Sequence, residues 1–255
     1  MNIGVTGATG RMGEAVLATA QERGETISFA VNRDPEGGRV RDVEVLPADQ
    51  FPDLLEETDV DVVVDFTGPE STLEYARSAA DFETPIVVGT TGFDPDQEDE
   101  LRAFGESIPV LLGANFARGV QALIDAVEAT IDSIPAYDIE VTETHHNGKR
   151  DAPSGTASVL LDRIDSARGR EADRVHGRSG EQPREADEIG VHARRAGDIT
   201  GEHEVLIAGN QESLSLTHRA GSRSVFAEGA LDAAGWLVRQ PAGFYRFADI
   251  ADQLA

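Results

Sequence analysis

The chain has 255 residues, enough for one large domain or two smaller ones, and its 47 acidic against 22 basic residues give a net charge of −25. This charge repels nucleic acid and anionic lipid, so we expect neither as a partner, and no apolar run is long enough to span a membrane. Cysteine is absent, which excludes disulfides, thiolate metal ligands and cysteine nucleophiles. The segment MNIGVTGATGRMG lacks the features of a signal peptide, so we expect a cytoplasmic protein.

The first 115 residues alternate short apolar runs with helical stretches. Residues 60–67 form a nearly continuous β-branched run, as expected for a strand that is buried on both faces. The alternation predicts an α/β fold with a Rossmann-type, doubly wound parallel sheet. The predicted strands are 2–7, 27–33, 60–67, 85–92 and 109–115, and the predicted helices are 11–23, 70–80 and 96–106.

The pattern changes after residue 115 and predicts a second, α+β domain. A helix, a strand and a second helix are followed by a polar loop and three strand-like segments in a row, which indicate a mixed or antiparallel sheet. We therefore divide the chain into a dinucleotide-binding domain (1–115), a second domain (116–225) and a helical C-terminal segment (226–255) that packs back on the first. The predicted elements are helices 119–132 and 156–168, strands 137–146, 188–197, 202–209 and 213–220, and a loop over 168–187.

The acidic residues are spread along the whole chain, while lysine is almost eliminated. Of the 22 basic residues, Lys149 alone is a lysine. This composition is typical of proteins from a high-salt cytoplasm, where screening removes most of the self-repulsion, and it predicts a stability that rises with salt. Where arginine replaces lysine throughout, the remaining lysine marks a position that needs a compact ammonium.

A glycine-rich turn joins the first predicted strand to the first helix. Gly7, Gly10 and Gly13 are spaced as G-x-x-G-x-x-G, which allows a tight turn and brings backbone N–H groups near a pyrophosphate at a helix N-terminus. The second strand ends in Asn32 and Arg33, where an NAD-binding protein commonly has an acid. No carboxylate there repels a 2′-phosphate and Arg33 can pair with one, so we expect NADPH to bind at least as well as NADH.

Two further segments follow predicted parallel strands at their carboxyl ends. They are Gly89–Gly92 and Ala114–Phe116. In open α/β sheets the ligand crevice lies at these ends, so both are candidates for contacts to a nicotinamide and its ribose.

The segment after strand 137–146 carries His145, His146 and Lys149 within five residues. Adjacent histidines point to opposite faces of an extended chain, and no third ligand follows at zinc-finger spacing, so we expect no metal. An imidazole that gives or takes a proton near neutral pH then lies four residues from an ammonium.

The sequence DAPSGTAS that follows predicts a helix N-terminus. Pro153 stiffens the approach and Ser154 can cap the helix, while Gly155 and Thr156 present backbone N–H groups to an anion. An anion cradle, an ammonium and an imidazole in a chain with a nicotinamide domain indicate the reduction of a small carboxylate substrate.

Six segments, in chain order, resemble the 4-hydroxy-tetrahydrodipicolinate reductase (dihydrodipicolinate reductase) family and cover essentially the whole chain. The resemblance implies an enzyme of the diaminopimelate route to lysine, with NAD(P)H as reductant and a substrate domain that builds a homotetramer by sheet packing. The segments are VTGATGRMG, VVVDFTGPE, VVGTTGF, GANF, ETHHNGKRDAPSGTA and RAGDITGEHEV.

The resemblance also implies roles for individual residues. His145 is the proton donor, and Lys149 binds the substrate and assists protonation. Two positions depart from the family pattern, because Asn32 replaces an acid and Ala117 replaces a serine. Substrate contacts fall on His146, Lys149, Ser154, Gly155 and Thr156. Cofactor contacts fall on Gly7, Ala8, Thr9, Gly10, Arg11, Met12, Arg33, Gly89, Thr90, Thr91, Ala114, Asn115, Phe116 and Ala117.

Two alternatives stay open at this point. The start TGATGRMG also resembles short-chain-dehydrogenase-like redox sensors, which bind NADP without turning it over. Active members of that superfamily use Tyr-x-x-x-Lys, and no tyrosine here has a lysine four residues later. The second alternative is another two-domain amino-acid-type dehydrogenase, such as an aspartate dehydrogenase.

Overall fold

A computed structural model of the protein describes residues 1–35 and 38–254. The chain forms two compact units, one of Met1–Ala117 with Arg223–Ala255 and one of Arg118–Ser222. The roles predicted for segments 1–115, 116–225 and 226–255 stay predictions. None of the described helices is both long enough and apolar enough to cross a membrane.

The first unit is built on a seven-stranded sheet in which every pairing is parallel. The strand order is β14-β8-β7-β6-β1-β2-β5. These strands are β1 (Asn2–Thr6), β2 (Thr26–Asn32), β5 (Leu46–Pro47), β6 (Val62–Asp65), β7 (Ile86–Val88), β8 (Pro109–Leu112) and β14 (Gly243–Arg246), and a separate pair is formed by β3 (Arg39–Val40) and β4 (Val43–Glu44). The helices are α1 (Arg11–Glu22), α2 (Phe51–Glu57), α3 (Pro69–Asp81), α4 (Pro95–Phe104), α7 (Ser224–Leu237) and α8 (Phe247–Ile250), with 3₁₀ turns at Ala48–Gln50 and Ala251–Gln253.

The central strand β6 shows why this sheet is covered on both faces. Its four residues are all fully buried, and their side chains alternate between two apolar clusters. Val62 and Val64 join the cluster that includes α1 and α7, whereas Val63 joins the cluster that includes α2, α3 and α4. The predicted α/β, doubly wound fold is therefore confirmed.

The second unit has a mixed five-stranded sheet with the order β10-β11-β9-β12-β13. Strands β10, β11 and β9 run parallel to one another, and β12 and β13 follow as an antiparallel pair beside β9. Ile139, Val141, Val191, Val205 and Ile207 are buried on the sheet. The strands are β9 (Asp138–His145), β10 (Asp173–Val175), β11 (Glu188–Arg195), β12 (Gly201–Gly209) and β13 (Glu212–Ala220), and the helices are α5 (Arg118–Ser133) and α6 (Gly155–Arg168).

Two predicted elements were wrong. Residues 243–250 were expected to be helical, but Gly243–Arg246 form β14 and extend the parallel sheet beside β8, and the helix α8 begins only at Phe247. The polar loop predicted over 168–187 contains the short strand β10, which pairs in parallel with β11. Both strands are short and lie at sheet edges, where backbone pairing with a neighbour outweighs a weak local pattern.

Candidate active site

The glycine turn after β1 adopts a conformation that only small residues allow. Gly7 has a φ of +71°, in the left-handed region, and a side chain there would meet the Phe66 carbonyl oxygen at 2.6 Å. The Gly10 N–H donates to the Gly7 carbonyl oxygen at 2.9 Å. A Cβ at Gly13 would lie 2.1 Å from that same oxygen, so glycine lets α1 pack directly on the turn.

Helix α1 begins at this turn and has no side-chain cap. Gly10 is its N-cap, and the first-turn N–H groups of a helix have no intrahelical acceptor. Beside the turn lies a cavity of about 700 Å³. An uncapped helix N-terminus next to a cavity fits the pyrophosphate of a dinucleotide. The cavity is lined by Gly7, Thr9, Gly10, Asn32, Arg33, Phe66, Thr67, Gly68, Pro69, Glu70, Ser71, Tyr75, Gly92 and Gln97.

Arg33 lies at the end of β2 and lines this cavity. Its Nη2 donates to Ser71 Oγ at 2.5 Å, which holds the guanidinium against the start of α3. Asn32 uses its amide to donate to the Asp34 carbonyl oxygen at 3.0 Å. Arg33 also lines a second cavity of about 470 Å³, together with Ser71 and Tyr75.

A fully buried carboxylate lies at the carboxyl end of β6. Asp65 accepts hydrogen bonds from the hydroxyls of Thr6 (2.5 Å), Thr67 (2.7 Å), Thr72 (2.7 Å) and Thr90 (2.8 Å). The Thr90 hydroxyl in turn accepts from the Thr67 N–H at 3.0 Å. The loop after β7 is therefore tied to the loop after β6, and the hydroxyl of the predicted cofactor contact Thr90 is engaged inside the protein.

The other predicted cofactor contacts fall into two groups. Ala8, Phe116 and Ala117 are buried, and Phe116 stacks edge-on against Phe66 and Phe247. The buried residues can reach a ligand only through their backbone. The exposed or half-buried ones are Thr9, Gly10, Arg11, Met12, Arg33, Gly89, Thr91, Ala114 and Asn115.

In the second unit, His145 ends β9 with its ring held on one side by a carboxylate. His145 is 9% exposed, and its Nδ1 lies 2.6 Å from Oε2 of Glu143, two residues earlier on the same face of the strand. Burial lowers the pKa of His145, and this effect outweighs the opposing influence of Glu143. The imidazole is therefore neutral near neutral pH in the free protein.

Glu143 is bound by Arg195 from the neighbouring strand β11. Arg195 Nη1 and Nη2 donate to Glu143 Oε2 and Oε1 at 2.8 and 2.7 Å, and Arg195 Nη2 also donates to the Asp151 carbonyl oxygen at 2.5 Å. Burial acts to raise the pKa of Glu143, but the hydrogen bonds from Arg195 and His145 outweigh it, and the pKa is lowered.

Ser154 is the N-cap of α6, as the sequence predicts, and it also contacts a second histidine. Its Oγ accepts from the Ala157 N–H at 3.2 Å and lies 3.0 Å from His203 Nε2. His203 is 3% exposed and stacks edge-on against His145 at 5.2 Å between ring centroids. Burial, with a smaller effect of His145, lowers the pKa of His203 to about 4. His203 is therefore neutral near neutral pH.

Lys149 is half-buried in the loop between β9 and α6. Its Nζ pairs with Asp151 at 2.8 Å, and its backbone N–H donates to the His146 carbonyl oxygen at 3.1 Å. Its charge acts to lower the pKa of His145, which places the ammonium within electrostatic reach of the imidazole. His146 is half-buried, Gly155 is exposed and Thr156 is half-buried, the last two in the first turn of α6.

Four residues of these sites escaped the sequence prediction: Asp65, Glu143, Arg195 and His203. Glu143 had a readable signal, because strand alternation puts it on the same face as His145. Arg195 and His203 lie 52 and 49 residues from the groups they contact, and pairing across strands leaves no local pattern. Among the described residues, no group of three or more histidine, aspartate and glutamate side chains is arranged to hold a metal ion.

The first unit has a parallel, doubly wound sheet with a glycine turn at its first helix. The second unit has a mixed sheet with an oriented histidine at the end of one strand, and the loop after that histidine carries a lysine. Together these features define a nicotinamide-dependent oxidoreductase of two units. Family models agree. The model "Dihydrodipicolinate reductase, N-terminus" matches residues 1–116, and "Dihydrodipicolinate reductase, C-terminus" matches residues 119–251. The chain belongs to the dihydrodipicolinate reductase family.

Curated relatives named 4-hydroxy-tetrahydrodipicolinate reductase span nearly the whole chain. The protein of Natronomonas pharaonis is 55% identical over 98% of this chain and 99% of its own length. That of Haloarcula marismortui is 48% identical over 98% of each chain, and that of Staphylococcus saprophyticus is 38% identical over 94% of this chain and 97% of its own. Membership of this family makes the chain an NAD(P)H-dependent oxidoreductase and rejects both the redox sensor and the aspartate dehydrogenase.

Solved structures share the fold at low identity. A dipicolinate-bound dihydrodipicolinate reductase from Paenisporosarcina sp. TG-14 has a TM-score of 0.79 at 22% identity and covers 98% of this chain and 99% of its own. An amine dehydrogenase from Mycobacterium smegmatis has a TM-score of 0.65 at 16% identity, over 97% of this chain and 95% of its own. Likenesses at this identity show the fold alone.

Proposed function

We propose that the protein reduces 4-hydroxy-tetrahydrodipicolinate to tetrahydrodipicolinate in the diaminopimelate route to lysine. The observation that carries this proposal is the segment from His145 to Thr156. It presents an oriented imidazole, a half-buried ammonium and a helix N-terminus within twelve residues. A ring with two carboxylates matches these groups, because an ammonium and a helix N-terminus can each take one anion.

In this proposal His145 is the proton donor. NAD(P)H held at the glycine turn would supply a hydride, with its two electrons, to C4 of the ring from which water has left. Negative charge then develops at the neighbouring ring atoms, and His145 delivers the proton from Nε2. General acid catalysis of this kind contributes about 10²–10⁴-fold. Burial lowers the pKa of His145 in the free protein. The negative charge of a bound dianion acts to raise this pKa, so we expect the substrate to promote protonation of the imidazole.

Lys149 binds the substrate and assists protonation. Its ammonium pairs with Asp151 at 2.8 Å in the free protein, and a substrate carboxylate would compete for or share this ion pair. His146, Gly155 and Thr156 complete the proposed contacts. Ser154 is 2% exposed and its hydroxyl is engaged with Ala157 and His203, so we assign its contribution to shaping the N-terminus of α6.

We assign the cofactor pyrophosphate to the glycine turn and the start of α1. The positive φ of Gly7, the uncapped helix and the adjoining cavity support this assignment. Arg33 and the absence of an acid at Asn32 favour NADPH, because a guanidinium can pair with its 2′-phosphate. The contacts proposed at 89–91 and 114–117 rest on the family pattern.

The remaining proposals concern assembly and location. We propose a homotetramer built by packing of the mixed sheet, and a cytoplasmic enzyme, as the family resemblance and the charge of −25 suggest. Sedimentation in molar KCl tests the first of these. A monomer at micromolar concentration would reject it.

The test of function is the absorbance of the reduced nicotinamide, followed in molar KCl while the upstream synthase generates the substrate. We expect oxidation of NADPH that needs both the protein and the synthase product, with kcat/KM for NADPH at least equal to that for NADH. Binding of NADPH without substrate-dependent oxidation would reject the proposal. A strong preference for NADH would reject the role given to Arg33.

A further inference from the structure

We propose that Glu143, held in place by Arg195, positions His145 for proton transfer. This inference rests on the proposed function, since it concerns the residue to which that function assigns the proton. Glu143 is 1% exposed and contacts the imidazole directly, at 2.6 Å. We therefore treat it as a positioning residue that acts through His145.

The contacts of the Glu143 carboxylate establish its ionised form. Its Oε2 accepts from His145 Nδ1 and Arg195 Nη1, and its Oε1 accepts from Arg195 Nη2 and from the Ser154 N–H at 3.2 Å. The two Arg195 nitrogens and the Ser154 N–H can only donate, so three of the four contacts require an acceptor at the carboxylate oxygens. A buried carboxylate that lost the guanidinium would become an uncompensated charge, so Arg195 is needed to keep Glu143 ionised.

An ionised Glu143 fixes the tautomer of His145. Since the carboxylate can only accept, Nδ1 of the imidazole must carry a hydrogen, and Nε2 is left as the nitrogen that gains and gives the exchangeable proton. Nε2 points toward Gly201 at the start of β12, where a Cβ would lie 3.1 Å away. The missing side chain of Gly201 keeps space in front of the reacting nitrogen.

Arg195 also connects this pair to the loop that carries Lys149. The Nη2 atom that binds Glu143 donates to the Asp151 carbonyl oxygen at 2.5 Å, and the Asp151 side chain pairs with Lys149. One guanidinium thus contacts both the carboxylate behind His145 and the backbone beside the ammonium. The geometry points to Arg195 as the link between the two groups that the reaction uses.

The charged and titratable groups that face His145 come from four segments. They are Glu143 on β9, Arg195 on β11, His203 on β12 and Lys149 in the following loop. Burial, Lys149 and Arg195 lower the pKa of His145, while Glu143 raises it. Replacement of Glu143 by glutamine therefore lowers this pKa further, and the protonated imidazole is lost at lower pH.

The experiment compares Glu143→Gln, His145→Gln and the double variant in the NADPH oxidation assay, over a range of pH. For Glu143→Gln we expect a fall in kcat of at least about tenfold, a KM for NADPH close to wild type, and an alkaline limb of kcat/KM moved to lower pH by about 1 unit or more. The double variant should be no slower than His145→Gln, because Glu143 acts only through the imidazole.

A matched control lies on the same strand. Glu140 on β9 contacts His192 Nε2 at 2.6 Å and Arg184, but strand alternation puts it on the face opposite Glu143. We expect Glu140→Gln to keep the wild-type kcat and pH profile. Should Glu143→Gln fail to fold, as judged by circular dichroism and NADPH binding, Arg195→Lys replaces it. We then expect a loss of kcat with a KM for NADPH close to wild type, because an ammonium cannot hold both Glu143 oxygens as the guanidinium fork does.

The outcomes separate this inference from the proposed function. A wild-type kcat in His145→Gln rejects the proton donor itself. If His145→Gln is slow but Glu143→Gln keeps the wild-type kcat and pH profile, only the positioning role is rejected. A wild-type kcat in Arg195→Lys, where that variant replaces Glu143→Gln, has the same meaning. Losses that multiply in the double variant also reject it, since Glu143 would then act independently of His145.

Discussion

The proposed role of Lys149 depends on the shape of its ammonium as well as on its charge. Its Nζ contacts Asp151 at 2.8 Å while its side chain is only 21% exposed. An ammonium is a compact charge with three donors, whereas a guanidinium is a planar fork that needs more room and directs its protons differently. In a chain with 21 arginines, a lysine at this position points to the shape of the ammonium as the selected property.

Lys149→Arg should therefore lose most activity although the charge is retained. We expect kcat to fall by about 10²-fold, within the range that a well-placed proton donor contributes. The exposed neighbour Arg150 offers the reverse exchange as a control, and Arg150→Lys should stay within about twofold of wild type, as surface substitutions usually do. Wild-type turnover in Lys149→Arg would show that this position does not need a lysine.

His203 predicts how the stability depends on pH. Its folded-state pKa of about 4 lies below the ordinary value of 6.5, so the unfolded chain binds more protons between these two values. The free energy of unfolding therefore falls as the pH is lowered from 6.5 toward 4, by about 3 kcal/mol from this residue. Denaturant titrations at fixed KCl should show a shallower fall in His203→Gln. An identical slope in both proteins would contradict the buried, neutral histidine.

Among single residues, the sequence predicts roles for groups with distinctive chemistry but not for the residues that contact them. His145, Lys149 and Gly7 stand in local patterns whose function can be read from spacing. Arg195 reaches Glu143 because β11 pairs with β9, and the sequence of either strand alone does not predict the register of this pairing. Asp65 was predicted only as part of a buried strand. No local sequence pattern indicates that four threonine hydroxyls donate to its carboxylate.

At the scale of elements, the βα turn after β1 depends on one close contact with α1. Helix α1 can approach β1 because Gly13 has no side chain beside the Gly7 carbonyl oxygen. Gly235, by contrast, lies in helix α7 with nothing within 4 Å of the position of a Cβ. The two helical glycines thus have opposite consequences when replaced.

Gly13→Ala should displace α1 from the turn, lower the stability by about 1–3 kcal/mol and weaken NADPH binding. Gly235→Ala should leave NADPH binding unchanged and stabilise α7 by up to about 1 kcal/mol, as alanine does in a helix interior. Thermal unfolding and NADPH fluorescence titration measure both effects. Equal affinities in the two variants would contradict the role of Gly13.

Long, periodic elements were predictable and short edge elements were not. Strands β1, β2 and β6 and helices α1, α3, α5 and α6 lie where apolar runs and helical periodicity put them. Strand β14 has only four residues, so its conformation depends on pairing with β8 and its own sequence did not reveal it. Helix α2 and strand β5 are too short to carry a period of their own.

For the whole molecule, the net charge of −25 predicts a stability that depends on the salt concentration. The Debye length shrinks from about 10 Å at 0.1 M salt to about 3 Å at 1 M, so repulsion between surface carboxylates fades over this range. The relatives from Natronomonas pharaonis and Haloarcula marismortui, both halophilic archaea, fit this composition.

The melting temperature should rise steadily between low salt and molar KCl, because screening relieves the compact state more than the expanded chain. Differential scanning calorimetry in a KCl series measures this directly. Sucrose at matched osmolality is the control, as it carries no charge. A melting temperature that stays constant across the series would contradict the prediction that repulsion between acidic side chains lowers the stability at low salt.

In the proposed reaction His145 and Lys149 both contact a ring with two carboxylates. A crystal structure of the protein with pyridine-2,6-dicarboxylate tests it by two distances, from Lys149 Nζ to a carboxylate oxygen and from His145 Nε2 to the nearest ring or carboxylate atom. We expect the first distance to be that of a hydrogen bond, below about 3.2 Å, and His145 Nε2 to face the ring. A dicarboxylate bound away from both side chains, with Gly155 and Thr156 also untouched, would contradict it.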